Sequence, residues 1–303
     1  MINKNKIIWG KPPSENISLE DCEWYHIMEI PGIGLTEGIF DVRDDIDNIF
    51  GNLDFKDKKV LNLGPSTGYL SFEAERRGAY VTSIDLSVDS EERDWVPQVQ
   101  DDWRKDLKKF MADEKRRRNA FWYAHKALNS KSKLIISHIN NLPNEVEVHD
   151  IGIIFSVLVH IRDPFLALQR MTSHIREKIV ITELGGYTRR NTLINFIPNL
   201  LNKIFSKLIK KKYALSSMQF LPRYGRIASK WWKYSPDSII EMIKLLGFGK
   251  STVNYHYYLD KKGKKVFQFT VVGERTVPMD KCDYKFDTGY RDVHSLNEDQ
   301  TIK

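Results

Sequence analysis

The chain has 303 residues, of which 41% are hydrophobic and 29% charged, and its formal net charge is +7. That length buries a full core, in one large domain or two small ones, and a mean hydropathy of −0.44 suits a globular protein in water. No apolar run approaches the roughly 18 residues needed to span a bilayer. Met1–Gly10 carries lysines without an apolar signal core, so export is not expected.

The only cysteines are Cys22 and Cys282, far apart and without metal-ligand spacing. A disulfide framework is therefore not expected, and a reducing cytoplasm fits best. His125, His138, His149, His174 and His256 are not spaced as metal ligands, so no metal is inferred. A pI near 9.1 suits anionic partners such as nucleic acid, phosphorylated sugars or anionic lipid, and equally suits an ordinary solvated surface.

In chain order, residues 1–56 form a leader whose segment "WYHIMEIPGIGLTEGIFDVR" is rich in turn signals: Pro31, Gly32, Gly34 and Gly38. A strand-then-helix alternation begins at Lys59. Apolar runs end at Leu63, Ile84, Ile139, Phe155 and Leu184. Helical patterns lie between them, over Tyr69–Arg77, Arg117–Leu128 and Pro164–His174. Such alternation predicts parallel crossovers and a sheet covered on both faces. The charge-dense stretch 87–118, with "DEKRRR" at Asp113–Arg118, reads as a solvated helix or, more sharply, as a phosphate-binding patch.

After Gly186 the pattern changes. An insertion at about 187–230 sets Leu193, Phe196, Ile197, Leu200, Ile204 and Leu208 along one helical stripe, with Lys203, Lys207 and Lys210 largely off it. Three readings stay open for 191–213: a cap helix packed on the core, a helix resting on an anionic membrane surface, or a basic surface for RNA. Ser235 then caps a helix with Pro236 in its first turn and Gly247 at its end. "STVNYHYYLDKKGKKVFQFTVVG" predicts an antiparallel hairpin, and 276–303 is a polar tail.

The chemistry is concentrated in "VLNLGPSTGYLSFEAERRGAYVTSIDL", Val60–Leu86. Gly64 lets the chain turn tightly after a buried strand, and Gly68 permits close backbone approach to a ligand. Asp85 ends the next strand, where a carboxylate accepts hydrogen bonds from ribose hydroxyls. The loop is G-P-S-T-G, lacking the third glycine of the dinucleotide fingerprint, and Pro65 has no amide proton for a pyrophosphate. A cofactor with a ribose and no phosphate suits it, and S-adenosyl-L-methionine is such a cofactor.

This stretch resembles motif I and the following acidic position of class I S-adenosylmethionine-dependent methyltransferases. "FSVLVHIRDPFLALQRM", Phe155–Met171, and the leader segment from Trp24 to Arg43 resemble a subgroup of that family. The subgroup includes the tRNA wobble-uridine 5-oxyacetic acid carboxymethyltransferase and many methyltransferases of unassigned substrate. The matches span roughly residues 23–273. The resemblance implies that Gly64, Ser66 and Gly68 flank the methionine part of the cofactor, that Asp85 binds its ribose, and that Leu86 and Asn140 lie at the adenine. It further implies that Ser156 lines the pocket from below, and that Trp24, Tyr25 and His26 fold back as a cover. Relatives using a carboxymethyl donor resemble one another in carrying Tyr where this chain has Val159, which donates no hydrogen bond. That departure favours plain methyl transfer.

At the acceptor, His160 falls just past the fourth strand of the parallel sheet, at its carboxyl edge, as a base, a substrate contact or a packed residue. Arg162 and Asp163 read as an ion pair or a helix cap sooner than as catalytic groups. Glu183 orients substrate hydroxyls or anchors a neighbouring loop. His26 reaches the sulfonium from the leader or packs among aromatics, and Arg226 binds a carboxylate or phosphate or sits on the surface. The expected architecture is a Rossmann-like α/β fold, a seven-stranded and mostly parallel sheet over 57–275 closed by an antiparallel hairpin. The expected activity is methyl transfer to oxygen of a small-molecule, sugar or glycan- or lipid-linked acceptor. A tRNA-modifying enzyme and a non-catalytic adenosyl-binding module are the alternatives.

Overall fold

A computed structural model describes residues 6–89, 103–185, 216–221, 230–260 and 263–282. The leader holds a two-residue hairpin, β1 (Glu29–Ile30) with β2 (Gly34–Leu35), then β3 (Phe40–Asp41) and the single turn α1 (Ile46–Ile49). The alternating part follows as β4 (Lys59–Leu63), α2 (Tyr69–Arg76), β5 (Tyr80–Asp85), α3 (Trp103–Ala127), β6 (Lys133–Ile136), β7 (His149–Phe155), α4 (Pro164–Thr172) and β8 (Ile175–Leu184). A small ribbon, β9 (Met218–Phe220) with β10 (Trp232–Tyr234), precedes α5 (Pro236–Leu245) and the hairpin β11 (Lys250–Asp260) and β12 (Lys265–Glu274).

The main sheet has eight strands in the order β3-β11-β12-β8-β7-β4-β5-β6. The five strands from β6 to β8 run parallel, and β12, β11 and β3 are antiparallel. The seven expected strands are therefore present. The eighth is β3, a leader segment that pairs Asp41 with Leu259 and Phe40 with Asp260 at the tip of β11. Each central strand is apolar on both sides and feeds two cores. Val60, Ile151, Ile153 and Val180 join Phe50, Phe55 and Leu70 on one face. Leu61, Leu63, Ile154, Ile179 and Ile181 join Leu168, Ile239 and Phe248 on the other. Burial on both faces is the reason these strands read as continuous apolar runs.

The helix ends follow the sequence signals. Asp163 Oδ1 accepts from the Leu166 amide at 3.0 Å with Pro164 in the first turn, so Asp163 is the cap of α4. Ser235 Oγ accepts from the Ser238 amide at 3.2 Å at the head of α5, and Gly247, at φ +94°, ends it. Helix α3 starts at Trp103, so the charged stretch read as a solvated helix is helical from there and is continuous with the helix expected from Arg117. Its charged first half hides the helical period, whereas Ala120, Phe121 and Ala124 bury its second half. The cap stripe Leu193–Leu208, Arg226 and the chain beyond Cys282 lie outside the described residues. Among the described residues, no helix is long and apolar enough to cross a membrane.

Candidate functional site

The chain runs from β4 to β5 to β6 on one side and returns through β7 and β8 on the other, so the order reverses between β4 and β7. Loops diverge at the carboxyl ends of strands there and leave a crevice, the usual place for a ligand in an open α/β sheet. Here the crevice is a cavity of about 470 Å³. Leu63, Gly64 and Ser66 from the loop after β4 line it, with Ile84, Asp85 and Leu86 from β5 and Ser137, His138 and Ile139 after β6. Phe155, Ser156, Val157, His160 and Ile161 follow from the end of β7, and Tyr25, Ile39 and Phe40 from the leader.

The loop after β4 needs unusual backbone. Gly64, Ser66 and Gly68 have φ of +71°, +52° and +93°. A Cβ on Gly64 would stand 2.7 Å from Val157 Cγ2, so glycine there keeps the cavity floor open. Gly68 is not part of the cavity wall. It heads α2, and a Cβ there would meet the rings of Phe72 at 2.3 Å and Phe121 at 2.8 Å. Its close approach is to packed side chains. Behind the loop, Asn62 Nδ2 donates to Ser71 Oγ at 2.9 Å, and Ser71 and Ser83 share a hydroxyl contact of 2.9 Å, which pins α2 to β4 and β5.

Asp85 stands at the end of β5 with its carboxylate at the cavity. Oδ1 accepts the Leu86 amide at 2.9 Å, and Oδ2 pairs with Arg118 at 2.8 Å. Ser156, at φ +53°, holds the floor through its amide, which donates to Thr182 O at 2.8 Å, and its hydroxyl, which accepts from Gln268 Nε2 at 3.4 Å. Asn140 stands behind the wall that His138 and Ile139 form; its amide donates to His138 Nδ1 at 3.2 Å.

The leader covers the site unevenly. Tyr25 faces the cavity, edge-on to Phe40 with ring centroids 4.9 Å apart, and burial pushes its hydroxyl up to about 12. Trp24 packs instead into the cluster of Phe72, Phe121 and Trp122, and its ring meets Tyr123 at 6.3 Å. His26 sits behind the wall, ringed by Tyr25 at 4.8 Å, Phe155 at 5.7 Å and Tyr69 at 5.9 Å. Burial holds it down to about 3, so the ring is neutral, and neither ring nitrogen has a partner among the described residues.

His160 lines the cavity. Burial, with Lys230 beside it, lowers it to about 4, so its imidazole is neutral at physiological pH. Glu183 is fully buried beneath it and does not reach the cavity. Its Oε1 accepts the Leu158 amide at 2.8 Å, while Tyr234 O–H donates to Leu158 O at 3.0 Å. Glu183 thus anchors the turn that carries His160. Burial raises its carboxyl to about 8. Val159 is a core residue, 3% exposed, with its back to the ligand space.

The lining residues that sequence reasoning did not place in this site include Phe110, Glu114, Arg117, Val157 and Lys230. The first three sit at helical spacing on one face of α3, a signal the surrounding charges mask. Arg117 pairs with Glu23 at 2.9 Å and Glu114 at 2.6 Å, and its guanidinium lies 5.7 Å from the Tyr25 ring centroid. No group of three or more metal-ligating side chains occurs among the described residues.

No family model matches the sequence, and no curated protein matches it. Among solved structures, the chain is similar to magnesium protoporphyrin IX methyltransferase from Synechocystis PCC 6803 with bound SAH. That likeness has a TM-score of 0.46 and 12% identity over 78% of this chain and 82% of that one. The N-terminal domain of EvdMO1, in the presence of SAH and D-fucose, gives 0.47 and 15% over 84% and 93%. A 1,6-didemethyltoxoflavin-N1-methyltransferase from Burkholderia thailandensis gives 0.43 and 11% over 78% and 78%. At TM-scores this low the likenesses decide nothing about this chain. Its own residues carry the functional reading.

Proposed function

We propose that the chain is an S-adenosyl-L-methionine-dependent methyltransferase. One observation carries the reading: the Gly64–Ser66 loop and the Asp85 carboxylate, from adjacent parallel strands, face one cavity at the point where the strand order reverses. The residues fit the cofactor. Asp85 supplies an acceptor for ribose hydroxyls, Leu86 and Ile139 give apolar walls for a base, and the floor at Gly64 is one that a Cβ would narrow. Pro65 offers no amide to a phosphate.

When bound, the cofactor supplies an electrophilic methyl group on a sulfonium. The chain's own task is then to position the acceptor in line and to keep water out. Tyr25, Ile39, Phe40 and Phe155 give the cavity an apolar wall that excludes water. His160 Nδ1 or Nε2, neutral at physiological pH, receives the proton of a hydroxyl acceptor or holds that hydroxyl in line. We assign the acceptor to oxygen of a small molecule, sugar or lipid-linked glycan. Calorimetry tests the cofactor. Wild-type protein should bind S-adenosylmethionine, and Asp85→Ala should weaken it about 100-fold, the value of two hydrogen bonds to a charged group. Equal affinity in the variant would remove the pocket assignment. Labelled cofactor offered with separated small-molecule, lipid, polysaccharide and RNA fractions then identifies the acceptor, and label in RNA alone would replace the glycan reading.

A further inference from the structure

The basic run Arg116–Arg118, with Asn119, reads as a solvated surface in the sequence, yet each of these residues makes a specific contact. Arg116 Nη2 donates to the carbonyls of Glu20 and Cys22 at 3.2 and 3.1 Å. Arg117 pairs with Glu23, and Asn119 Nδ2 donates to Asp21 O at 3.2 Å. These three clasp the leader. Arg118 turns to the cofactor side instead. Its Nη2 lies 2.8 Å from Asp85 Oδ2 and 3.2 Å from Leu86 O, in a pair only 12% and 20% exposed.

Asp85 is thereby held at both oxygens, Oδ1 by the Leu86 amide and Oδ2 by Arg118. A carboxylate oxygen accepts two hydrogen bonds, so each oxygen keeps capacity for a ligand hydroxyl. What the two contacts remove is rotation of the carboxylate. A ligand meeting a fixed acceptor does not have to order it on binding.

We propose that Arg118 is a positioning residue for the cofactor. It fixes the Asp85 carboxylate in the orientation that receives the ribose hydroxyls, and one turn of α3 joins that role to the clasp on the leader. The proposal rests on the S-adenosylmethionine reading of the cavity.

The test is calorimetry with S-adenosylhomocysteine and its 2′-deoxy analogue on wild-type protein, Arg118→Met and Arg118→Lys. Wild-type protein should prefer the ribo ligand about tenfold or more, as expected for one hydroxyl donating to a charged acceptor. Arg118→Met should bind the ribo ligand about tenfold more weakly and lose most of the preference, because only the hydroxyl contact depends on carboxylate orientation. Arg118→Lys keeps the charge without reaching both Asp85 and Leu86 O, and should retain an intermediate preference. A wild-type preference in Arg118→Met overturns the proposal, including when both ligands weaken equally, since a uniform loss reports a damaged fold. Should Arg118→Met fail to fold by thermal melting, an unchanged preference in Arg118→Lys overturns it instead. Wild-type protein that binds neither ligand removes the methyltransferase reading itself, whereas wild-type binding with an undiminished preference in the variants removes only the role of Arg118.

Discussion

Glu183→Gln isolates the buried carboxyl beneath the His160 turn. Glu183 is fully buried, and burial raises its carboxyl from the usual 4.5 to about 8. The folded protein therefore keeps this proton at pH values where the unfolded chain has released it. Folding binds the proton, so stability is complete below about 4.5 and falls as pH rises through the window up to about 8. The slope is about 1.4 kcal/mol per pH unit, and the full loss is on the order of 5 kcal/mol.

Buried histidines titrate with the opposite sign. His149 and His160 are held down to about 4, His26 to about 3 and His174 below its usual value, so stability is lost as pH falls through 6.5. Each still gains about 0.4 kcal/mol from pH 6.5 to 8, because the unfolded imidazole is half protonated at 6.5. Wild-type protein and Glu183→Gln share that histidine gain, so their difference from pH 6.5 to 8 isolates Glu183. Urea unfolding across this interval should show wild-type protein losing about 2 kcal/mol relative to the variant. Glu183→Gln can keep the Leu158 amide contact through its own Oε1, and should show only the histidine gain over the same interval. Parallel pH dependences of wild-type protein and variant from pH 6.5 to 8 would refute the reasoning.

Gly68→Ala should cost about 3 kcal/mol in urea unfolding, because the new methyl meets two aromatic rings at a backbone φ of +93°. Unchanged stability would mean that α2 shifts freely, against its pinning by Asn62 and Ser83. His160→Gln should lower kcat about 100-fold once the acceptor is known, while S-adenosylhomocysteine affinity stays at the wild-type value. In wild-type protein His160 should leave kcat flat from pH 6 to 8, because its imidazole titrates near 4. A rise in rate through pH 6.5 would show that this histidine titrates at its ordinary value.

Much of the β4–β5 side of the cavity was legible in the sequence because its signals are local. A buried strand, a glycine turn and an acid at the next strand end lie within 27 residues, Val60–Leu86, and each follows from backbone geometry close by. The caps at Asp163 and Ser235 and the hairpin from Lys250 to Glu274 are local in the same way. Tertiary structure decided which side chains meet over long separations. Arg118 reaches Asp85 across 33 positions, Arg117 reaches Glu23 across 94, and Glu183 reaches the Leu158 amide across 25.

No periodicity marks such pairs, because a charged residue reads alike whether it faces water or a buried carboxylate. Glu183 shows the limit: its place at a strand end suited substrate contact and loop anchoring equally, and only the burial of its carboxyl under the Leu158 turn separates them. The eighth strand has the same origin, since two leader residues become a strand only where β11 leaves an open edge for them to pair with. The sequence alone determined the fold class and the glycine loop after β4, whose conformations are set by neighbours in the chain. The assembly of leader, α3 and sheet around one cavity was decided by packing between segments far apart in it.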